Sequence, residues 1–361
     1  MIKHLELFSG IGGFRKAIDL IGNDFGIKTK CIGFSEKDKY ATLTYKANFN
    51  TLNELEIGDI ETFSSDTTEI LKLADFDLLT GGFPCQSFSM MGKQKGFTDP
   101  RGNTFYSITN ILKVKNKTSF ILLENVQRLR THDNGETFKE IVSSLKDCGF
   151  KYIYSDVFNT ANFNLAQTRN RIFIFGSRKK LPVNFEFSQQ SVLQSFIDIN
   201  QKVSIISQKT ILDVLSKSVD EKYYLSNKIK PTILADGSKN FLSKSEINQL
   251  TARPLTASMV KMHRACQDNY YSDDFILAKK PMEYSKKEFT KKELEKHRIR
   301  KLTPKEAFAL QGFGEDFHEK TKIAGVSDHQ MFKQAGNAVS VNTVYAILHY
   351  LIVKNKILEL I

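Results

Sequence analysis

The stretch that decides the fold is His4-Leu5-Glu6-Leu7-Phe8-Ser9-Gly10-Ile11-Gly12-Gly13. Residues 4–8 have strand character and run into a glycine cluster, and a helical pattern opens directly behind it. Glycines at such a turn let the backbone bend tightly and approach a nucleotide-like cofactor. The same rhythm continues to about residue 180, short apolar runs alternating with longer amphipathic stretches, as in a parallel α/β sheet. Strands are expected at 4–8, 30–35, 75–80, 119–124, 152–158 and 171–176. A helix is expected over 137–146, ending near Gly149.

In such sheets functional residues gather at the carboxyl ends of strands, and the chemistry-bearing motifs fall there. Glu36 closes the second strand, where an acid can bind ribose hydroxyls. Asp59, in Gly58-Asp59-Ile60, could meet an adenine amine. This spacing fits a nicotinamide dinucleotide and S-adenosylmethionine equally. The strand at 75–80 leads into Gly81-Gly82-Phe83-Pro84-Cys85-Gln86-Ser87-Phe88-Ser89. A lone cysteine is usually an inert buried side chain. Cys85, however, follows a proline in a glycine-flanked turn that would present its thiol. An unperturbed thiol, with a pKa of ~8.5, is only slightly ionised at neutral pH, and a helix N-terminus or arginine would raise that fraction. The basic stretch 90–96, with glycine hinges, suits a loop closing over a phosphate backbone.

Glu124 ends a very apolar strand in Leu122-Leu123-Glu124-Asn125-Val126. Burial raises a carboxyl pKa, which suits proton exchange with a ring nitrogen. A helix-capping acid is the plainer alternative. Gln167-Thr168-Arg169-Asn170-Arg171 precedes the strand at 171–176, and arginines there could hold a carbonyl oxygen and a carboxylate.

A chain of 361 residues favours about two domains. With 41% hydrophobic and 25% charged residues it is neither disordered nor fibrous. Its net charge of +12 favours a polyanionic partner without choosing among DNA, RNA and an anionic membrane. The N-terminus has glycines where a signal peptide needs an apolar run. No uninterrupted apolar stretch approaches the ~20 residues of a membrane span. The four cysteines lie far apart with no C-x-x-C pair, so neither a zinc site nor a disulfide framework is expected. A reduced, cytoplasmic protein without a metal follows. Over 181–296 the βα rhythm gives way to irregular short segments with 18 basic and 14 acidic residues. Thr303, Pro304 and Glu306 form a helix start, and a last helix is expected over 341–353.

Together these pieces resemble the bacterial DNA (cytosine-5)-methyltransferases of restriction-modification systems. The resemblance is carried, in family order, by Phe8–Arg15, Ser35-Glu36-Lys37-Asp38, Gly58-Asp59-Ile60, Gly81–Ser89, Glu124-Asn125-Val126, Gln167–Arg171, Arg300-Lys301-Leu302-Thr303-Pro304 and Gln334-Ala335-Gly336-Asn337-Ala338-Val339. It implies an α/β fold: a Rossmann-like S-adenosylmethionine-dependent methyltransferase sheet with a second, smaller target-recognition domain. Residues 1–180 would be the first part of the catalytic domain, 181–296 the recognition domain and 297–361 a return segment. S-adenosylmethionine would lie near Phe8, Gly10, Ile11, Gly12, Gly13, Glu36, Lys37, Asp59, Ile60, Phe83, Pro84, Asn337 and Val339.

The resemblance also implies roles. Cys85 would add to carbon 6 of cytosine, Glu124 would hold the amino group and ring nitrogen 3, and Arg171 the carbonyl oxygen, with Arg169 in support. The base would flip out of duplex DNA. Gln86, Ser89, Lys93 and Arg101 would touch DNA beside it. Arg253, Thr256, Lys261, His263, Arg264 and Gln267 would serve recognition. The enzyme would act as a monomer, away from membranes, partnered functionally by a cognate restriction endonuclease. Two positions depart from the family: Lys37 stands where some members carry Trp, and Arg253-Pro254-Leu255-Thr256-Ala257 replaces a Thr-Leu pair. A tRNA cytosine-5 methyltransferase on the same scaffold is the alternative, and the length of the 181–296 segment counts against it.

Overall fold

The computed structural model describes residues 1–84, 104–237 and 242–361. They divide into two units, one of Met1–Asn159, Asn170–Ile205 and Val339–Ile361, the other of Thr160–Arg169 and Ile206–Ala338. These borders differ from those at 180 and 297. The helix Gln189–Ile197 lies in the first unit, and the helices between residues 304 and 337 lie in the second. Where the βα rhythm stops is therefore not where the chain changes unit.

In the first unit the strands are β1 (Ile2–Leu7), β2 (Thr29–Phe34), β3 (Leu55–Glu56), β4 (Leu78–Gly82), β5 (Phe120–Val126), β6 (Tyr152–Asn159) and β7 (Asn170–Ser177). They form one sheet in the order β3-β2-β1-β4-β5-β7-β6. β1 to β5 pair in parallel, and β7 runs antiparallel to both β5 and β6. This is the methyltransferase variant of the doubly wound sheet. Strand order reverses between β1 and β4, and ligands of such sheets bind beyond the carboxyl ends at that point.

The core explains why these strands read as nearly unbroken apolar runs. Leu5, Leu7, Leu79, Ile121, Leu123, Ile172 and Ile174 are all fully buried. Each such side chain stabilises the fold by roughly 1.5–3 kcal/mol relative to exposure. The helix Gly13–Phe25 buries Phe14, Ala17, Ile18 and Ile21, a spacing that makes one helical stripe. That helix packs against the helix Val341–Leu348.

Local chemistry sets the element ends. β4 begins at Leu78, three residues later than expected, and Asp77 just before it is held by residues of β1 and β5. Its carboxylate accepts from Lys3 N at 2.9 Å and its carbonyl from Phe120 N at 2.9 Å. The helix Glu136–Asp147 stops before Gly149, which takes φ 92°. Val341–Leu348 gives way at His349 to a wider helical turn ending at Lys354. The helical run Asp328–Lys354 holds a window apolar enough to cross a membrane, but 83% of that window is buried, as in a core helix.

The second unit carries β8 (Tyr270–Ser272) and β9 (Ile299–Lys301), paired antiparallel, among short helices and turns. Leu225, Ile233, Leu234, Ala265, Tyr270 and Ile299 form its small core. Thr303 caps the helix Pro304–Ala309 as expected: its hydroxyl accepts from Glu306 N, and Glu306 accepts from Thr303 N at 2.7 Å. The same carboxylate takes a bidentate pair of bonds from Arg300, at 2.8 and 2.9 Å, both side chains being 1% exposed.

Candidate active site

The glycine turn after β1 is shaped by three left-handed residues, Phe8 (φ 52°), Gly10 (φ 54°) and Gly12 (φ 85°). A non-glycine residue at positive φ is strained, and Phe8 holds that conformation where the chain leaves the strand. The turn is tied to the end of β2. Ser9 N donates to Ser35 O at 2.8 Å, and Ser35 N donates to Glu6 O at 2.9 Å. Glu36 uses both carboxylate oxygens, accepting from Gly10 N and from Asp38 N, each at 2.8 Å. A β-carbon on Gly12 would lie 2.3 Å from the Phe49 ring, and one on Gly13 would lie 2.5 Å from Val339 Cγ1. One on Gly10 would meet nothing within 4 Å. The turn thus packs on one side and opens on the other, a cradle suited to a nucleoside whose hydroxyls reach the Glu36 carboxylate.

The other residues expected at this cofactor fall on several elements. Ile11 and Ile60 are buried, and Lys37 is exposed. Asp59 is exposed and caps the helix Ile60–Ser64, accepting from Glu61 N at 2.9 Å. Phe83 is buried against Phe105, and its carbonyl accepts from Asn125 Nδ2 at 2.8 Å. Pro84 is exposed. Asn337 ends a helix of the second unit with its side chain exposed.

Glu124 lies on β5 opposite Gly82 of β4, and a β-carbon on Gly82 would come within 3.2 Å of its Oε2. Arg171 on β7 places its Nε 3.0 Å from Glu124 Oε1. Both side chains keep some access to solvent, 13% for Glu124 and 20% for Arg171. A guanidinium this near orients the carboxyl group. Cys85, Gln86, Ser89, Lys93, Arg101 and the 90–96 loop lie outside the described residues.

Two residues beneath the turn were not anticipated. Glu6 is fully buried on β1, accepting from Tyr45 Oη at 3.0 Å and from Arg15 N at 3.3 Å. Burial pushes its carboxyl up to about 8. The Tyr45 ring stacks on Phe34 and lies under Gly12. The sequence signal was an acid in the middle of an apolar strand, and its partner lies on a distant helix.

In the second unit Arg169 is 2% exposed, and its guanidinium donates to three carbonyl oxygens, those of Leu255, Gly336 and Ala338. Arg253 donates from Nε to Ala265 O at 3.2 Å, and Arg264 from Nη1 to Asp236 O at 2.6 Å. Thr256, Lys261 and Gln267 are exposed, and His263 Nε2 lies 3.1 Å from Ser258 Oγ. Among the described residues no three His, Cys, Asp or Glu side chains are grouped to hold a metal ion.

Comparisons with known proteins point to one family. The profile of the C-5 cytosine-specific DNA methylases matches residues 2–352. The Type II methyltransferase M1.ScrFI of Lactococcus lactis subsp. cremoris is 35% identical over 96% of this chain and 76% of its own length. The Type II methyltransferase M.HpaII of Haemophilus parainfluenzae is 34% identical over 95% and 87%. The solved methyltransferase EhMeth of Entamoeba histolytica matches with a TM-score of 0.70 at 22% identity over 98% of both chains. Dnmt2 of S. pombe matches with 0.69 at 20% identity, over 98% of this chain and 99% of its own. At those identities the structural likeness speaks to the fold.

Proposed function

The chain belongs to the C-5 cytosine-specific DNA methylase family and is a DNA cytosine-5 methyltransferase, and on that premise we propose that it methylates carbon 5 of a flipped-out cytosine in duplex DNA through a covalent Cys85 adduct. The observation that carries this reading is the Glu124–Arg171 pair, at the carboxyl end of β5 and the amino end of the antiparallel β7, beside Gly82, which is close in sequence to Cys85.

S-adenosylmethionine, when bound, supplies an electrophilic methyl group. Glu36 would accept from its ribose hydroxyls, held by Gly10 N and Asp38 N. Asp59 would meet the adenine amine, with Phe8, Ile11, Lys37, Ile60, Phe83, Pro84, Asn337 and Val339 around the remainder.

Carbon 5 of cytosine is a poor nucleophile. The Cys85 thiolate forms a bond to carbon 6, and electron density moves to carbon 5. Glu124 holds the amino group and supplies a proton at ring nitrogen 3 as charge develops there. Arg171 binds the carbonyl oxygen. Once carbon 5 carries the methyl group it loses its proton, the sulfur–carbon bond breaks, and the ring double bond returns. The target atom is out of reach inside a duplex, so the base leaves the stack at a cost of a few kcal/mol. Gln86, Ser89, Lys93 and Arg101 contact the opened DNA.

The second unit reads the target, with Arg253, Thr256, Lys261 and Arg264 at its DNA face. Relatives named Type II methyltransferases support a place in a restriction-modification system beside a cognate endonuclease. One copy suffices for one flipped base, so we read a cytoplasmic monomer. The test is Cys85→Ala. It retains binding of S-adenosylmethionine and DNA and loses methyl transfer. A transfer-competent Cys85→Ala enzyme overturns the mechanism.

A further inference from the structure

We infer that Arg169 is a positioning residue, latching the 255–258 segment to the 334–338 segment, and that it does not hold the target base. The inference rests on the reading of the second unit as DNA-recognising and of Asn337 as cofactor-facing. It replaces the supporting role at the base that the sequence suggested.

The geometry is specific. Arg169 Nη1 donates to Leu255 O at 2.8 Å, and Nη2 donates to Gly336 O and Ala338 O, each at 3.0 Å. The residue is 2% exposed. Both terminal nitrogens therefore point at backbone carbonyls inside the unit, and a planar guanidinium fork can hold two separate segments in one register. Gln167, two residues earlier and fully buried, completes the hold on Leu255. Its Oε1 accepts from Leu255 N at 2.9 Å, and its Nε2 donates to Leu310 O at 2.8 Å. Thr168 N donates to Ala252 O, and Ala252 N donates to Ala166 O. Residues 166–169 thus run alongside the chain at Ala252, just before Leu255.

The two latched segments also touch each other directly. A β-carbon on Gly336 would lie 2.1 Å from the carbonyl carbon of Thr256 and 2.3 Å from Ala257 N. Only glycine permits that approach of two backbones. What the latch presents is exposed: Thr256 on one segment and Asn337 on the other. Arg171, two residues on, belongs to the first unit and faces Glu124. The two arginines look equivalent in sequence and serve different ends.

The test is Arg169→Lys in the full chain, which keeps the charge and loses the planar fork. The Kd for S-adenosylmethionine without DNA and the KM for duplex DNA should each rise about tenfold. The single-turnover rate at saturation should stay within about threefold of wild type. A base-holding arginine would do the reverse, leaving cofactor affinity intact and lowering the saturated rate about a hundredfold or more; that result, or no change in any parameter, overturns the inference. Gly336→Ala reaches the same contact with Arg169 intact, and should also raise the KM for DNA. An unchanged KM there overturns it equally. Melting temperatures identify any variant that merely fails to fold. If wild-type protein does not methylate duplex DNA, the functional reading falls, while the cofactor affinity of Arg169→Lys still decides the latch.

Discussion

Arg171 Nε lies 3.0 Å from Glu124 Oε1 and bridges β7 to β5 at the sheet rim. The bridge does two things at once. It orients the carboxylate beside Gly82, and with Nη1 donating to Asn170 O at 2.8 Å it leaves Nη2 for the carbonyl oxygen of a base. Replacing Glu124 with Gln removes the proton donor while keeping the shape. The turnover rate should fall about 10²–10⁴-fold, the usual range for a lost general acid. Binding of S-adenosylmethionine, measured by calorimetry, should not change. Arg171→Ala should lower the rate similarly, because it strips the carboxylate of its partner as well as the base of its ligand.

Glu36 offers a separable test, since the proposal places it at the cofactor and not at the base. Its two oxygens accept from Gly10 N and Asp38 N. Hydrogen bonds to a charged group contribute about 1.5–3 kcal/mol each. Glu36→Ala should raise the Kd for S-adenosylmethionine about 10–100-fold, with the rate at saturating cofactor largely retained.

Gly13 makes a steric prediction. An added methyl group would lie 2.5 Å from Val339 Cγ1 and 2.7 Å from Val339 O. Gly13→Ala must push apart the first helix and the segment that returns at Val339. It should lower the melting temperature and weaken cofactor binding together. Gly10→Ala meets nothing within 4 Å in the structure. Its left-handed φ still carries strain, of roughly 1–2 kcal/mol.

The buried Glu6 predicts a pH dependence of stability. Burial raises its folded-state value to about 8, against an ordinary 4.5. Between those values the folded protein holds a proton that the unfolded chain has released, so stability falls as pH rises and levels off above about 8. His4 works the other way: burial lowers it to about 3 from 6.5, so its contribution rises with pH up to 6.5. The two oppose each other at acid pH, and the decline due to Glu6 stands clear from about 6.5 to 8. Thermal melts across that window should show the fall in wild type and a smaller one in Glu6→Gln. Parallel profiles would contradict the assignment.

How much of this could be read beforehand depended on the range of the interaction. The glycine turn, the parallel strands and the Thr303 cap are local patterns, and a change of period or a side chain three residues away announces them. β3, two exposed residues at Leu55–Glu56, has no pattern to announce. Glu124 and Arg171 were legible as chemistry at strand ends, while their pairing depends on β7 entering antiparallel beside β5. Glu6 with Tyr45 and Arg300 with Glu306 are tertiary partnerships, invisible in spacing alone. The separation of Arg169 from Arg171 is invisible for the same reason: the chain passes from one unit to the other between Arg169 and Asn170.

The measurement that tests the central claim most directly is transfer of a tritiated methyl group from S-adenosylmethionine to unmodified genomic DNA, followed by methylation sequencing at single-base resolution. Wild-type protein should label carbon 5 of cytosine within one short recurring motif, and Cys85→Ala should leave the DNA unlabelled. Bound S-adenosylmethionine with no label on duplex DNA, or label delivered by Cys85→Ala, would contradict the account.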